Sequence, residues 1–343
     1  MQDRSEIQRL IIALSGEAAL ALCDLDMQTG AMTLREKVAL PGVEGSCGGM
    51  PLVANNAGDC IYAAWRGAEK RLFGFTFDQA SGRLEPLSNT PLPASICYVA
   101  LTAKDRRIVT ASMGDSTVAV SPVDDNGQPG DPLSIQDAPF AHCLVEAPNG
   151  LFYAPSLKGG FVQVYELTDD QNALRPVARW DAPEDSGPRD IRFTRDGRTA
   201  YLLSEFVGTI TRLDVLDDGG LHARETMPLL PEGQKAWAAE SHLGADEQVL
   251  YASERNTSQI FSIALNDGQM NVIQVVAAPD CPRAFALDGA GRVLIALGES
   301  SGEVRSYHVG HDGTLTAAGS LRVGDGPSWV LPFGLAAVSV GPA

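Results

Sequence analysis

The chain reads as an all-β protein, a seven-bladed β-propeller of four-stranded antiparallel blades, and three observations predict it. A strand-rich unit returns every 44 to 50 residues. An acidic turn, in most copies bearing glycine, returns on the same beat. No segment sustains the i, i+3, i+4 apolar stripe of an amphipathic helix, so helix content should be minimal. Units of this length that each form a four-stranded sheet mark a radial propeller. Dividing 343 residues by seven leaves roughly 49 per blade.

The units can be followed in order. QRLIIALSGEAALALCDL near the N-terminus is the first copy, and GDCIYAAWRGAEKRLFGFTF from Gly58 the second. DRRIVTASMGDSTVAVSPV follows from Asp105, NGLFYAPSLKGGFVQVYEL from Asn149 and DGRTAYLLSEFVGTITRLDV from Asp196. DEQVLYASERNTSQIFSIAL from Asp246 and AGRVLIALGESSGEVRSYHV from Ala290 complete the set. Equivalent strand positions are Tyr62, Val109, Tyr153, Tyr201, Tyr251 and Ile295. The turns DMQTGAM, DQASGRL, DDNGQPG, DDGGL, NDGQM and HDGTL supply the Asp-Gly and Asn-Gly chemistry of tight hairpins, and TDDQNAL at Thr168 is the copy without glycine. Each unit is therefore a meander and not a βαβ crossover. The first copy lacks an innermost strand, whereas GDGPSWVLPFGLAAV from Gly324 is a strand with nothing after it. Pairing these ends closes the ring and removes two raw sheet edges. One domain over residues 1–343 is expected.

Composition narrows the partners. The net charge of −17, from 26 basic and 43 acidic residues, disfavours nucleic acid and anionic membranes. An anionic ligand must then be met by a local basic cluster. Cys23, Cys47, Cys60, Cys97, Cys143 and Cys281 form no CxxC pair and read as buried, reduced thiols. Glu17 and Asp24 interrupt the apolar stretch after Arg9, which argues against an export signal. No run approaches the roughly 18 apolar residues of a membrane span. A reduced, soluble, cytoplasmic protein is expected, monomeric or a weak homo-oligomer.

In a propeller the loops entering and leaving the innermost strands surround one channel mouth. His142 in AHCLVEAP, Arg189 in GPRDIRF, Glu205 in LLSEFVGT and Arg255 in YASERNTS stand at corresponding blade points. Glu240 and His242 in WAAESHL, Arg283 in CPRAFAL and Lys158 at a blade rim are further candidates for contacting a substrate. Each has a structural alternative. His142 can be a hydrogen-bonded structural histidine, Arg189 and Glu205 an inter-strand ion pair, and Arg255 with Glu254 a surface pair. Glu240 and His242 can be packing residues, and Lys158 a solvated lysine.

Here the sequence resembles the seven-bladed propeller lactonases, a family that includes the cytoplasmic propeller 6-phosphogluconolactonase and the fungal carboxymuconate cyclase. The resemblance rests on HCLVEAPNGLFYAPSLK, GPRDIRFTRDGRTAYLLSE, WAAESHLGADEQVLYASER, CPRAFALDGAGRVLIALGES and VGDGPSWV, in order and at blade spacing. It implies an active-site set of one histidine, two arginines and a glutamate, falling on His142, Arg189, Arg255 and Glu205. The family commonly has histidine where this chain has Asp190, and Asn-Tyr where it has Ser112 and Met113. The GGMPLVANN stretch matches poorly.

The residue types suit lactone hydrolysis, which needs a base for water, donors for the oxyanion and a proton for the leaving alkoxide. His142, with an ordinary pKa of about 6.5, and Glu205 are expected to handle protons. Arg189 and Arg255 are expected to polarise the carbonyl and hold substrate anions. The expected reaction is opening of a sugar-acid lactone, phosphorylated or not, with no cofactor. Carboxylates are scattered among turns, so no metal is expected. A muconate-type cycloisomerase of the same family, or a non-catalytic scaffold presenting its top face to a protein, are the alternatives.

Overall fold

A computed structural model of the chain describes residues 6–266 and 268–333. It contains twenty-eight strands in seven four-stranded antiparallel sheets, and no helix among the described residues. Correspondingly, none of the described residues forms a helix long and apolar enough to cross a membrane.

The sheets follow one another along the chain as blades. Blade two runs through Leu52–Ala54, Cys60–Arg66, Lys70–Asp78 and Arg83–Pro91, from the axis outward. Blades three to seven repeat this order, with innermost strands Tyr98–Leu101, Val145–Glu146, Pro188–Phe193, Ala238–Leu243 and Ala284–Leu287. Blade one takes its innermost strand from the other end of the chain. Pro327–Phe333 pairs antiparallel with Ile7–Leu14, placing Trp329 opposite Ala13 and Leu331 opposite Ile11. The expected closure is therefore present; residues 334–338 of the same motif lie outside the described residues.

The repeated apolar strand is buried on both faces, because each blade is covered by a neighbour on either side. Alternation sends successive side chains to different neighbours. In Thr199–Ser204, Leu202 packs with Tyr153 and Val164 of blade four, while Leu203 packs with Leu250 and Phe261 of blade six. The buried apolar residues fall into seven clusters, one at each blade junction. Outermost strands alternate buried and solvated positions instead, as in Leu221–Pro228.

Three of the strand tyrosines are joined to turn glycines by hydrogen bonds across blade junctions. Tyr62 Oη donates to the Gly127 carbonyl of the next blade at 2.8 Å. Tyr153 donates to Gly219 and Tyr251 to Gly313, each at 3.0 Å. Val109 has no hydroxyl, and the turn facing it is the one without glycine. There Arg107 Nε donates to the Gln171 carbonyl at 2.7 Å.

Candidate active site

The innermost strands of blades five and six are broken by bulges, and these aim the central groups. Pro188 pairs with Ser204 and Asp190 with Leu203, so Arg189 has no cross-strand partner. In blade six the pairing skips from Ala238 to Ser241, leaving Ala239 and Glu240 free. A bulged residue turns out of the ladder, which is why bulges recur beside functional sites. Gly187, just before Pro188, sits at φ +73° and lends its carbonyl to the Glu205 amide at 2.7 Å. A Cβ there would lie 2.7 Å from the Phe206 ring in a conformation L side chains rarely adopt.

Four side chains from three blades form one connected cluster. Arg189 Nη1 donates to Glu205 Oε2 at 2.5 Å and stands 2.7 Å from His142 Nε2. Its Nε donates to the bulged Ala239 carbonyl at 2.6 Å. Arg255 Nη2 reaches the same Glu205 Oε2 at 3.0 Å, and its guanidinium lies 4.0 Å from the centre of the Trp237 ring. Trp237 Nε1 donates to Glu205 Oε1 at 3.2 Å, so both carboxylate oxygens are held. Arg189, Glu205 and Arg255 are each only 6% exposed.

A guanidinium has donors and no acceptor, so the Nε2 of His142 facing Arg189 must carry a lone pair. His142 is then neutral, with its proton on Nδ1. Burial, followed by the charges of Arg189, Arg283, Arg255 and Arg66, pushes its pKa well below the ordinary value near 6.5. This departs from the expectation of an imidazole poised at neutrality. The Arg255 pKa is brought down to about 9, first by burial and then by Arg189. Four guanidinium charges thus act on a histidine that is easily kept unprotonated.

His142 and Arg189 open onto a cavity at the axis, whereas Glu205 and Arg255 stand behind them. Asp190, Arg192, Glu240 and Arg283 also line it, and Arg66, Gly49 and Trp329 form the opposite wall. Deeper along the channel, Asp190 Oδ2 accepts from Arg192 Nε at 3.1 Å and from the Ser241 hydroxyl at 2.8 Å. Glu240 Oε1 takes Arg192 Nη2 at 3.4 Å and His242 Nε2 at 3.1 Å, and its Oε2 accepts the Phe285 amide at 3.1 Å. Burial opposes the Arg192 cation, but Asp190 and Glu240 more than offset this and raise its pKa. The aspartate that replaces the family's usual histidine is therefore an anchor for Arg192.

Of the remaining expected contacts, Arg283 lies on the cavity wall and binds Glu299 Oε1 at 2.8 Å. His242 is one step removed, braced by Glu240 and packed edge-on against the Phe285 ring at 4.9 Å. Lys158 is exposed, its Nζ 5.8 Å from the Phe140 ring centre, and it is not brought into the cluster. Glu254 is fully buried and accepts from the Trp237 and Thr257 amides, so it forms no surface pair with Arg255. Among the described residues no three His, Cys, Asp or Glu side chains converge as metal ligands would.

Sequence reading missed Arg66, Arg192 and Trp237. For Arg66 a signal existed. Counting four residues on from the repeated strand position reaches Glu205, Arg255 and Glu299 in blades five to seven, and Arg66 in blade two. Arg192 and Trp237 sit inside quoted motifs, but nothing in their spacing marks them.

Comparisons with known proteins agree with this architecture. Residues 15–332 match the family described as Lactonase, 7-bladed beta-propeller. A 6-phosphogluconolactonase of Erwinia tasmaniensis is 30% identical over 313 residues, covering 88% of this chain and 92% of that protein. One from Sodalis glossinidius is 28% identical over 312 residues, with the same coverage. The structure of the Pseudomonas aeruginosa periplasmic gluconolactonase superposes with a TM-score of 0.86 at 22% identity, covering 96% of this chain and all of that one. With ring, bulged site and near-complete sequence match in agreement, the chain belongs to the seven-bladed β-propeller lactonase family.

Proposed function

We propose that this protein hydrolyses a sugar-acid lactone to the open-chain acid, with Arg189 and His142 at the reacting carbonyl. The observation that carries the reading is the contact between Arg189 and a neutral His142 on the wall of an axial cavity. Lactonase naming among the relatives points the same way.

The chemistry follows from which atoms are free. Arg189 commits Nη1 and Nε within the protein, and among the described residues its Nη2 has no acceptor. That donor suits the lactone carbonyl oxygen and strengthens as the oxygen becomes an oxyanion. Water attacks the carbonyl carbon as the His142 Nε2 lone pair, exchanging its Arg189 Nη1–H donor for the water when substrate enters, takes the water's proton. The ring C–O bond of the tetrahedral intermediate then breaks. The imidazolium returns a proton to the leaving alkoxide, giving the hydroxy acid. Glu205 has both oxygens engaged and acts as a positioning residue. It holds Arg189 and Arg255 in register and keeps two buried guanidiniums from standing uncompensated. Arg283, Glu240 and Arg192 shape the wall against which the sugar hydroxyls lie; Lys158 is left to the rim.

All six cysteines are free thiols, which supports a reducing compartment and a cytoplasmic enzyme. The test is titration of acid release from gluconolactone and its 6-phosphate by wild type, His142→Ala and Arg189→Met. Loss of about 100-fold or more in kcat/KM in both variants is expected. A folded wild type that accelerates neither lactone would refute the reading.

A further inference from the structure

The outermost strand of each blade pairs on one side only and shows solvent a row of backbone donors and acceptors. Proteins blunt such edges with charge or proline. Six of the seven outer strands carry at least one charged side chain, as Met32–Ala39 carries Arg35, Glu36 and Lys37, and three of the six also hold proline. Blade six departs from this. Its outer strand Gln269–Ala277, QMNVIQVVA, has no charge, no proline and no glycine. On it Val272, Ile273 and Val275 are 41%, 42% and 42% exposed, whereas no other outer strand exposes more than one large apolar side chain. The bulge at Ile273 does not set it apart, because six of the outer strands share one.

Both neighbouring blades hold this edge in place. Glu225 of blade five accepts the Met270 amide at 3.1 Å. The Gln274 side chain accepts the Leu315 amide of blade seven at 2.6 Å and donates to its carbonyl at 3.1 Å. A strand already fixed loses little further freedom when another strand is added to it. Ile273 also walls a groove of about 600 Å³ with Val309 and His311 of blade seven, which leaves room beside the edge for a partner's side chains. The molecule as a whole carries −17, so two copies repel and approach most easily where the local surface is uncharged. This strand is such a place. An antiparallel edge is also its own complement, since a two-fold axis sets each outward N–H against a C=O of the same strand in a second copy.

We infer that Gln269–Ala277 is a self-association edge, through which two copies of this chain pair antiparallel about a two-fold axis. The pairing joins two blades six into one continuous sheet. Nine residues at about 3.4 Å each span roughly 30 Å, a small contact, so the dimer is weak, with Kd on the order of 10–100 µM. The edge lies at the rim of the ring and the cavity at its axis, so this contact holds or fails independently of the proposed reaction.

Sedimentation velocity of the full chain between about 1 and 300 µM should show the average mass rise from one copy towards two. Raising salt from about 0.05 to 0.5 M should tighten wild-type pairing several-fold, because it screens the repulsion between acidic copies. Val272→Lys, which places a like charge on both strands, should weaken pairing by about tenfold or more with the fold intact. Amide exchange reads the contact without a substitution: Gln269–Ala277 should exchange more slowly at high protein concentration than at low. A wild type that stays single throughout, growth beyond two copies, pairing that weakens with salt, or wild-type pairing by Val272→Lys overturns the inference. Slowed exchange on another face and none on this strand does the same. At the roughly 5 µM of a thermal melt such a dimer is dissociated, so substitutions on this edge leave the unfolding of the single copy unaltered.

Discussion

Glu205 and His142 are coupled through one guanidinium, and their variants should differ in kind. Glu205→Gln removes the carboxylate that Arg189 and Arg255 share. A kcat loss of about 100-fold is expected, with a smaller change in KM, because the cations lose register before they lose substrate. A purely structural glutamate would leave the pH profile alone. Here the unscreened arginines should depress His142 further, moving the acid limb of kcat/KM to lower pH. With neutral His142 as the proposed base, that limb is expected below about 6.5 in wild type, because burial and the arginines lower its pKa. The linkage has a definite sign. Between about 6.5 and the depressed value, the unfolded chain binds a proton that the folded chain does not, so stability falls as pH falls through that window. His142→Gln should flatten the fall, which thermal melts at pH 7 and pH 5 will read.

At the scale of the strand, tyrosine latches and bulges divide the work. A latch such as Tyr153 to Gly219 satisfies a buried carbonyl and ties one blade to the next. Tyr153→Phe leaves that carbonyl unpaired and should cost about 1–2 kcal/mol by denaturant unfolding, with kcat unchanged. The latches were half legible. Tyrosine and glycine each repeat visibly in the sequence, and so does their joint absence at Val109 and the TDDQNAL turn, but nothing local says that they meet across a junction. The bulges were not legible at all. Arg189, Ala239 and Glu240 leave the ladder because flanking residues pair in a shifted register, and register is a property of two strands.

The whole molecule is held by its closure. Seven apolar layers lie between blades, and the layer between blades seven and one is completed by Val330 of the closing strand. Val330 is only 4% exposed, so Val330→Asp buries an unpaired charge in the seam. It should cost several kcal/mol and leave little soluble protein. Val275→Asp, on the solvated outer strand of blade six, should stay within about 0.5 kcal/mol of wild type. Thermal unfolding of the two variants checks both the seam and the exposure.

Blade number, strand order and ring closure were all legible in the sequence alone. They are written in local signals, namely a period-two apolar pattern, turn chemistry and a fixed repeat length, and those act between residues near in the chain. Only the tertiary structure decided that His142 Nε2 faces a guanidinium, that both Glu205 oxygens are engaged, that Lys158 stays outside the cluster, and that Arg66 lines the cavity with no ion pair among the described residues. Charge and solvation at a site depend on groups brought together from blades far apart in sequence, and their fields sum only once the ring has closed.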